Sequence, residues 1–419
     1  MLDTAVAREA VDYVRTSKDR EITRENLEKV LNVPELQLWF AVGPYCTKAC
    51  PTCMCGCGSD QSAYMTPAVV KKTRRDIDDT HIGKVWFEDG EPFHDIGNLL
   101  GMVDVLEGLP VGIATNASFA VSYERASEVL SQLRATGFTV RRQSHRTLGF
   151  EVNSCLGPSA DEYHGEDSYQ HAINLARAYL PLFMYEVATP IHLEQVFRIQ
   201  YHADYSATLD HAKRDENLIS KLVTPLQEQL KGKLVIGPDH FSKPYFIIRT
   251  PDGLIWVQMN RIMPFGRGRE YLPRPMRHFR TRDVPVANTK ENPGITVRHD
   301  GELYWGRGQC VVPGKRMGNV LERPLAEMLE ETRQSSLWQM FRLLGLRGVL
   351  EMVRFTERQT EFSAETGCNL CIDLFSDEER IRRVEQDFDG LLGGNDIIDF
   401  ILHEKDRLYP EPSENSRES

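Results

Sequence analysis

The stretch LQLWFAVGPYCTKACPTC, residues 36–53, decides how the rest of the chain is read. Leu36 to Val42 is an almost unbroken apolar run of strand length, and Gly43-Pro44 ends it. Directly behind stand Cys46, Cys50 and Cys53, spaced CX3CX2C. Three thiolates on one short loop can bind three irons of a four-iron, four-sulfur cluster, since Cys is the ligand type that such clusters use. The fourth iron is then open to a substrate or cofactor. The competing assignment is structural zinc, which prefers four ligands in C-X2-4-C pairs and would need Cys55 or Cys57 to complete it. Otherwise Cys55 and Cys57 read as small residues in a tight CGCG turn and receive no role.

Five of the nine cysteines lie between Cys46 and Cys57. The N-terminal segment MLDTAVAREAVDYVR has early acids and no apolar signal core, so the crowding points to metal or redox chemistry, not a disulfide framework. The expected compartment is the cytoplasm. A chain of 419 residues can bury two or three structural units, and 41% hydrophobic with 26% charged residues suits a globular protein. Arg342 and Arg347 interrupt the most apolar stretch, Leu337 to Val353, so no membrane span is expected. The net charge of −11 argues against a nucleic-acid partner. The basic run Arg267, Arg269, Arg274, Arg277, Arg280, Arg282 reads as a solvated or anion-contacting loop.

From the cysteine loop outward, strands and helices alternate. Strands are expected at 84–87, 110–115, 148–152, 196–201 and 254–259, the last with a hairpin partner at 245–249. Helices are expected at 67–79, 97–106, 122–137, 169–179 and 218–230. Six such strands imply an α/β fold, a partial (β/α)6 TIM-like barrel whose site lies at the C-terminal strand ends. Beyond Gly266 the pattern changes to a Pro- and Arg-rich stretch, then a hairpin over 295–305 turning at Asp300-Gly301. Helices follow at 325–332 and 338–353. The expected units are an N-terminal helical extension (1–35, with Thr23 as a cap), the barrel (36–268), a small α+β domain (269–375), and a helical segment with a disordered tail (376–419).

The CX3CX2C loop behind a first strand resembles the defining motif of the radical S-adenosylmethionine (SAM) superfamily. FEDGEP, Phe87 to Pro92, follows the second strand and looks like that family's GGEP motif. Ala114-Thr115-Asn116-Ala117 resembles its TNG turn, and Pro264-Phe265-Gly266-Arg267 its GR turn. The chain departs from the pattern at Thr52, where an aromatic is usual, and at Asp89 and Ala117, where Gly is usual. The resemblance covers roughly 36–268. It implies a catalytic 4Fe-4S cluster on Cys46, Cys50 and Cys53 that binds and reductively cleaves SAM to a 5′-deoxyadenosyl radical. It implies a SAM pocket from Asp89, Gly90, Glu91, Pro92, Thr115, Asn116, Glu151, Asn153 and Ser154. It also implies an electron donor of flavodoxin or ferredoxin type.

GELYWGRGQC (301–310), Gly318 to Glu322 and Cys368-Asn-Leu-Cys371 resemble the SPASM/twitch domain of such enzymes, which holds an auxiliary iron–sulfur cluster. Cys310, Cys368 and Cys371 are its candidate ligands. A fourth cysteine is missing, since none lies between Gly266 and Gln309. Buried thiols or a zinc site are the alternatives. Cys155, expected just after the fourth strand at the barrel mouth, is a candidate catalytic hydrogen-atom donor; its bland role is packing. Tyr163, His164, Glu166 and Asp167 read as a polar loop near the mouth, and His202 and Asp204 end the fifth strand.

The expected activity is hydrogen abstraction from a small natural-product precursor (amino sugar, cyclitol or nucleoside), giving epimerisation or dehydrogenation. The alternative is modification of a ribosomally made peptide. A simple iron–sulfur electron carrier would need no SAM pocket.

Overall fold

The computed structural model describes residues 23–32, 37–80, 82–138, 143–144, 151–152, 154–183, 198–203, 218–236, 245–261, 266–271, 277–280, 294–307, 311–359, 361–364 and 367–408. Asn153, Asp204, Cys310, the first 22 residues and the tail from Tyr409 lie outside the described residues.

Strands β1 (Gln37–Ala41), β2 (Lys84–Glu88) and β3 (Val111–Thr115) run parallel side by side, with Gln37 opposite Lys84 and Val85 opposite Val111. They are apolar on both faces, as strands covered on both sides must be. Leu38, Phe40, Val85, Phe87 and Ile113 face the helical layer and join the main hydrophobic core. The short β4 (Gln143–Ser144) and β5 (Glu151–Val152) pair with each other. The next parallel strand is β6 (Cys155–Pro158), with Gly112 opposite Cys155 and Thr115 opposite Pro158.

Strand β6 adjoins β7 (Arg198–Ala203). A second sheet has the order β7-β10-β9-β8, from β8 (Lys233–Ile236), β9 (Tyr245–Thr250) and β10 (Gly253–Arg261). Strand β10 is parallel to β7 and antiparallel to β9, which is the expected hairpin partner. The fold is thus mixed α/β with a mostly parallel central sheet, consistent with a partial TIM-like barrel. Its helices start where the sequence places them. Ser122 accepts from Arg125 N–H at the head of Tyr123–Ala135, and Pro67 opens Pro67–Ile77.

The fourth parallel strand is a correction. The apolar run at 148–152 looks like a strand, yet the sheet takes Cys155-Leu-Gly-Pro. Gly and Pro are poor strand formers, so sequence periodicity passes this segment over. Backbone pairing to β3 and burial on both sides place it there instead.

After β11 (Arg277–Arg280) come β12 (Gly294–Arg298), β13 (Glu302–Trp305) and β14 (Arg316–Asn319). The first two form the expected hairpin, but they do not stand apart from the barrel. Strand β12 lies parallel to β1 along its whole length, so the central sheet has seven strands in the order β14-β13-β12-β1-β2-β3-β6. The expected helix at 338–353 is broken at Gly345 (φ 66°) into Ser336–Leu344 and Leu346–Glu357. These helices and Glu378–Leu392 form a second core with Leu27 of the helix Arg24–Leu31. Strand β15 (Glu361–Ala364) pairs with β11.

Two glycines set how closely the sheet packs on its inner face. A Cβ on Gly294 would sit 1.6 Å from the Trp39 ring, and one on Gly112 would sit 2.3 Å from Trp86. Gly294→Ala should therefore disturb the β1–β12 pairing and lower stability by about 1–3 kcal/mol or more. Gly390→Ala, on an exposed helix face with nothing within 4 Å, should be neutral or stabilising. Denaturant unfolding of both variants tests this; equal stability of Gly294→Ala and wild type would refute it.

Candidate active site at the cysteine loop

The cysteine loop leaves β1 through Gly43, whose backbone (φ 142°) passes too close to the Ala63 carbonyl for any side chain. Its base is closed by two hydrogen bonds, Cys46 N–H to the Gly58 carbonyl at 3.1 Å and Gly58 N–H to the Pro44 carbonyl at 3.0 Å. Cys46, Cys50 and Cys57 are buried, Cys53 is half-buried and Cys55 is exposed.

The end of β2 is pressed onto this loop. A Cβ on Gly90 (φ 59°) would lie 2.2 Å from the Gly43 carbonyl oxygen and 2.3 Å from that of Tyr45, so glycine is required. Glu91 N–H donates to the Tyr45 carbonyl at 2.9 Å. The Glu91 carboxylate is buried and accepts from Phe93 N–H (2.9 Å), the Thr115 hydroxyl (2.6 Å) and Asn116 N–H (2.7 Å). Burial pushes its pKa up, against these three donors. Asn116 in turn aims its side-chain amide at the Cys46 sulfur, 3.3 Å away.

Asp89, Gly90, Glu91, Pro92, Thr115 and Asn116 are thereby gathered with Cys46 at the C-terminal edge of the sheet. Of the remaining expected SAM contacts, Asn153 lies outside the described residues, and Glu151 and Ser154 stand elsewhere. Ser154 accepts from Val111 N–H at 3.0 Å, at the opposite edge, where β3 begins. Glu151 belongs to the separate β4–β5 pair. Cys155 opens β6 instead of following the fourth strand. Its sulfur accepts from Lys84, the first residue of β2, at 3.4 Å. The strand spans about 10 Å from Cys155 to its C-terminal end at Pro158. Cys155 thus stands near the far edge from Cys46, and the expected place at the mouth is corrected.

Several residues brace the loop through contacts that the sequence does not show. Arg267 donates through Nε to the Cys50 carbonyl (2.9 Å), through its backbone N–H to the Cys53 carbonyl (3.1 Å), and through Nη2 to the Cys57 carbonyl. Gly266 (φ 47°) lets this turn touch the loop, because a Cβ there would be 2.5 Å from the Met54 carbonyl oxygen. The GR turn was visible, but its partner was not. On the other side Lys48 pairs with Asp167 at 2.7 Å. His164 is held by fully buried Asp161 at 2.8 Å and also contacts Cys50. Burial opposes a charge on His164, yet the Asp161 carboxylate raises its pKa well above the usual imidazole range.

A cavity of about 310 Å³ opens beside the loop. Its walls include Met54, Cys55, Cys57, Asp89, Arg298 and His299, the last two from the C-terminal end of β12.

The donor set fits a thiolate-bound metal group in chemistry, and hydrogen bonds already reach the Cys46 and Cys53 sulfurs. Asn116 donates to Cys46, and Cys57 N–H donates to Cys53 at 3.3 Å. The sulfurs are not yet disposed as one cage. Cys53 and Cys57 share a hydrogen bond that, with burial, raises the Cys53 pKa. The Cys55 thiol donates to Asp89 at 2.6 Å. Among the described residues no group of three or more His, Cys, Asp or Glu is arranged to hold a metal ion. Of the second cysteine set, Cys371 is half-buried on the helix Gly367–Phe375, which also carries Cys368 in its first turn.

No family profile matches the sequence, and no curated protein matches it. Solved structures do. Streptococcus suis SuiB bound to S-adenosylmethionine aligns over 73% of this chain and 68% of its own, with 11% identity and a TM-score of 0.39. Native anSMEcpe with bound AdoMet and Cp18Cys peptide aligns over 85% of this chain and 100% of its own, with 12% identity and a TM-score of 0.42. SuiB bound to precursor peptide SuiA aligns over 77% of this chain and 69% of its own, with 11% identity and a TM-score of 0.41. These are distant likenesses.

Asp89 (φ 66°) and Ala117 (φ 57°), the two departures from glycine, both adopt the left-handed conformation that glycine enters at no steric cost. Ala117→Gly should therefore cost under about 1 kcal/mol although it deletes a buried methyl, because relief of backbone strain offsets the loss. Ala126→Gly, equally buried but helical, should cost about 2 kcal/mol. Equal losses in thermal or denaturant unfolding would show that Ala117 carries no strain.

Proposed function

We propose that the chain is a radical SAM enzyme whose catalytic cluster is held by Cys46, Cys50 and Cys53. The observation that carries this is the convergence of three strand ends. The CX3CX2C loop after β1, Gly90-Glu91 after β2 and Thr115-Asn116 after β3 meet through hydrogen bonds at the carboxyl edge of one parallel sheet. That edge is where such sheets bind their ligands. When bound, the cluster and SAM supply a 5′-deoxyadenosyl radical by one-electron reductive cleavage.

The chain's own residues do the rest. Glu91 fixes the Thr115-Asn116 turn, and the Asn116 amide orients the Cys46 sulfur. Arg267 holds three loop carbonyls and keeps the cysteine loop against the sheet. Such support limits the loop motion that misplaced reacting groups would suffer. Tyr45 stacks on His94 with ring centroids 3.6 Å apart.

The substrate is a small natural-product precursor, in which hydrogen abstraction leads to epimerisation or dehydrogenation. A cavity of about 310 Å³ with Asp89, Arg298 and His299 in its walls supports a compact, polar molecule. Cys310, Cys368 and Cys371 hold an auxiliary iron–sulfur cluster, and a flavodoxin or ferredoxin-type protein delivers the electron.

Anaerobically reconstituted protein given dithionite and SAM should yield 5′-deoxyadenosine. Replacing Cys46, Cys50 and Cys53 by alanine should abolish the product, and Arg267→Ala should lower iron retention and the cleavage rate together. SAM cleavage that survives loss of all three cysteines would overturn the assignment.

A further inference from the structure

The inner face of the central sheet carries a lysine with no counter-ion. Lys84 is the first residue of β2, an end from which a lysine ordinarily turns its ammonium to water. Here the ammonium is drawn along the strand instead. It lies 4.4 Å from the centroid of the Trp86 ring and donates to the Cys155 sulfur at 3.4 Å. Trp86, Gly112 and Cys155 stand opposite one another in neighbouring strands, so the charge sits one pleat repeat closer to the carboxyl edge than the Lys84 backbone does. Alternation fixes the face. Val85 and Phe87 enter the main core, whereas Trp86, Cys155 and Trp39, the partner of Trp86 on β1, belong to neither hydrophobic core.

This face offers donors and almost no acceptors. The indole N–H groups of Trp39 and Trp86 are buried without a hydrogen-bond partner. Lys84 is half-buried and forms no ion pair with any described residue; its partners are a ring and a thiol. A thiol sulfur is a weak acceptor and neutralises nothing. A partly buried ammonium without a carboxylate is costly, and an anion reaching it would offset that cost. We propose that Lys84, seated on the Trp86 ring, anchors a negatively charged group of the substrate, a phosphate or a carboxylate. That this anion belongs to the substrate rests on the radical SAM reading; the anion site itself rests on the sheet's inner face. At about 3.3 Å per residue, the level of Trp86 is about 7 Å from that of Glu88, behind which Gly90 and Glu91 meet the cysteine loop. A group held by Lys84 leaves space of sugar size between the anchor and the loop. The substrate class is accordingly a phosphorylated or carboxylated small molecule, with its charge remote from the reacting carbon. The Trp86 face holds the ammonium in place by cation–π attraction, and the ammonium supplies a point charge for phosphate or carboxylate oxygens.

Tryptophan emission of the full-length, reconstituted protein reads this site. It is titrated with inorganic phosphate, and separately with acetate, at an ionic strength held constant with chloride. At least one anion should give a saturable change that disappears in Trp86→Phe, the loss of the reporter, and persists in Lys84→Arg. Lys84→Met keeps an apolar stem over the ring and should weaken binding by about tenfold or more. Tighter phosphate marks a phosphoryl group on the substrate, and tighter acetate marks a carboxylate. No saturable change with either anion, or equal affinities in wild type and Lys84→Met, overturns the proposal. Formation of 5′-deoxyadenosine from SAM by the same preparation reports separately on the radical SAM reading. Its absence beside Lys84-dependent anion binding removes the substrate assignment and leaves the anion site standing.

Discussion

The Glu91 carboxylate accepts hydrogen bonds from Phe93 N–H, the Thr115 hydroxyl and Asn116 N–H, while Glu91 N–H donates to the Tyr45 carbonyl. One buried residue at the end of β2 thus reaches the loop after β1 and the turn after β3. Hydrogen bonds to a charged group contribute about 1.5–3 kcal/mol each, and leaving such donors buried without a partner costs a similar amount. The placement of Asn116 against Cys46 depends on this arrangement, because Asn116 N–H is one of the three donors. The left-handed backbone at Asp89 and Ala117 is tolerable for the same reason. Each strained residue flanks a stretch that Glu91 holds.

The cysteine loop is braced from elements distant in the chain. Arg267 comes from the segment after β10, and Lys48 reaches Asp167 at the start of the helix Asp167–Phe183. His164 and Asp161 stand in the connection between β6 and that helix. A loop so rich in thiols has little apolar surface with which to fix itself, so its conformation is imposed by polar contacts to its carbonyls and flanks. Arg267 uses guanidinium and backbone donors together, which no lysine reproduces.

Much of this was legible from residue order. The parallel strands β1, β2, β3, β7 and β10 announce themselves by β-rich apolar runs. Gly90 and Glu91 announce themselves by standing just behind β2. The strand beside β3 was missed because Cys155-Leu-Gly-Pro lacks strand-forming residues, and the stronger local signal at 148–152, whose last two residues are β5, prevailed. Ser154 and Cys155 consequently stand at the edge where β3 begins, and Glu151 lies in the separate β4–β5 pair. Arg267 and His164 were noticed, but their contacts with the cysteine loop, and Asp161 altogether, were hidden for another reason. They are contacts between segments far apart in sequence, and local patterning holds no record of such pairs. The hairpin 294–305 was recognised, but its attachment to β1 was not, since pairing partners of a strand are set by topology.

That attachment bears on how the molecule can be divided. Strand β12 covers the flank of β1 from Gln37 to Ala41. The hairpin also joins both hydrophobic cores, with Ile295, Val297 and Leu303 in one and Trp305 in the other. A fragment ending at residue 268 would keep β1, β2, β3, β6, β7 and β10 and every cysteine of the first loop. It would also present β1 as a bare edge of Leu38, Trp39 and Phe40, with unpaired N–H and C=O groups along its length. Such an edge is a template for pairing with another chain. Strand β12 thus belongs to the same sheet as β1, and truncation before it would leave that edge of the sheet bare.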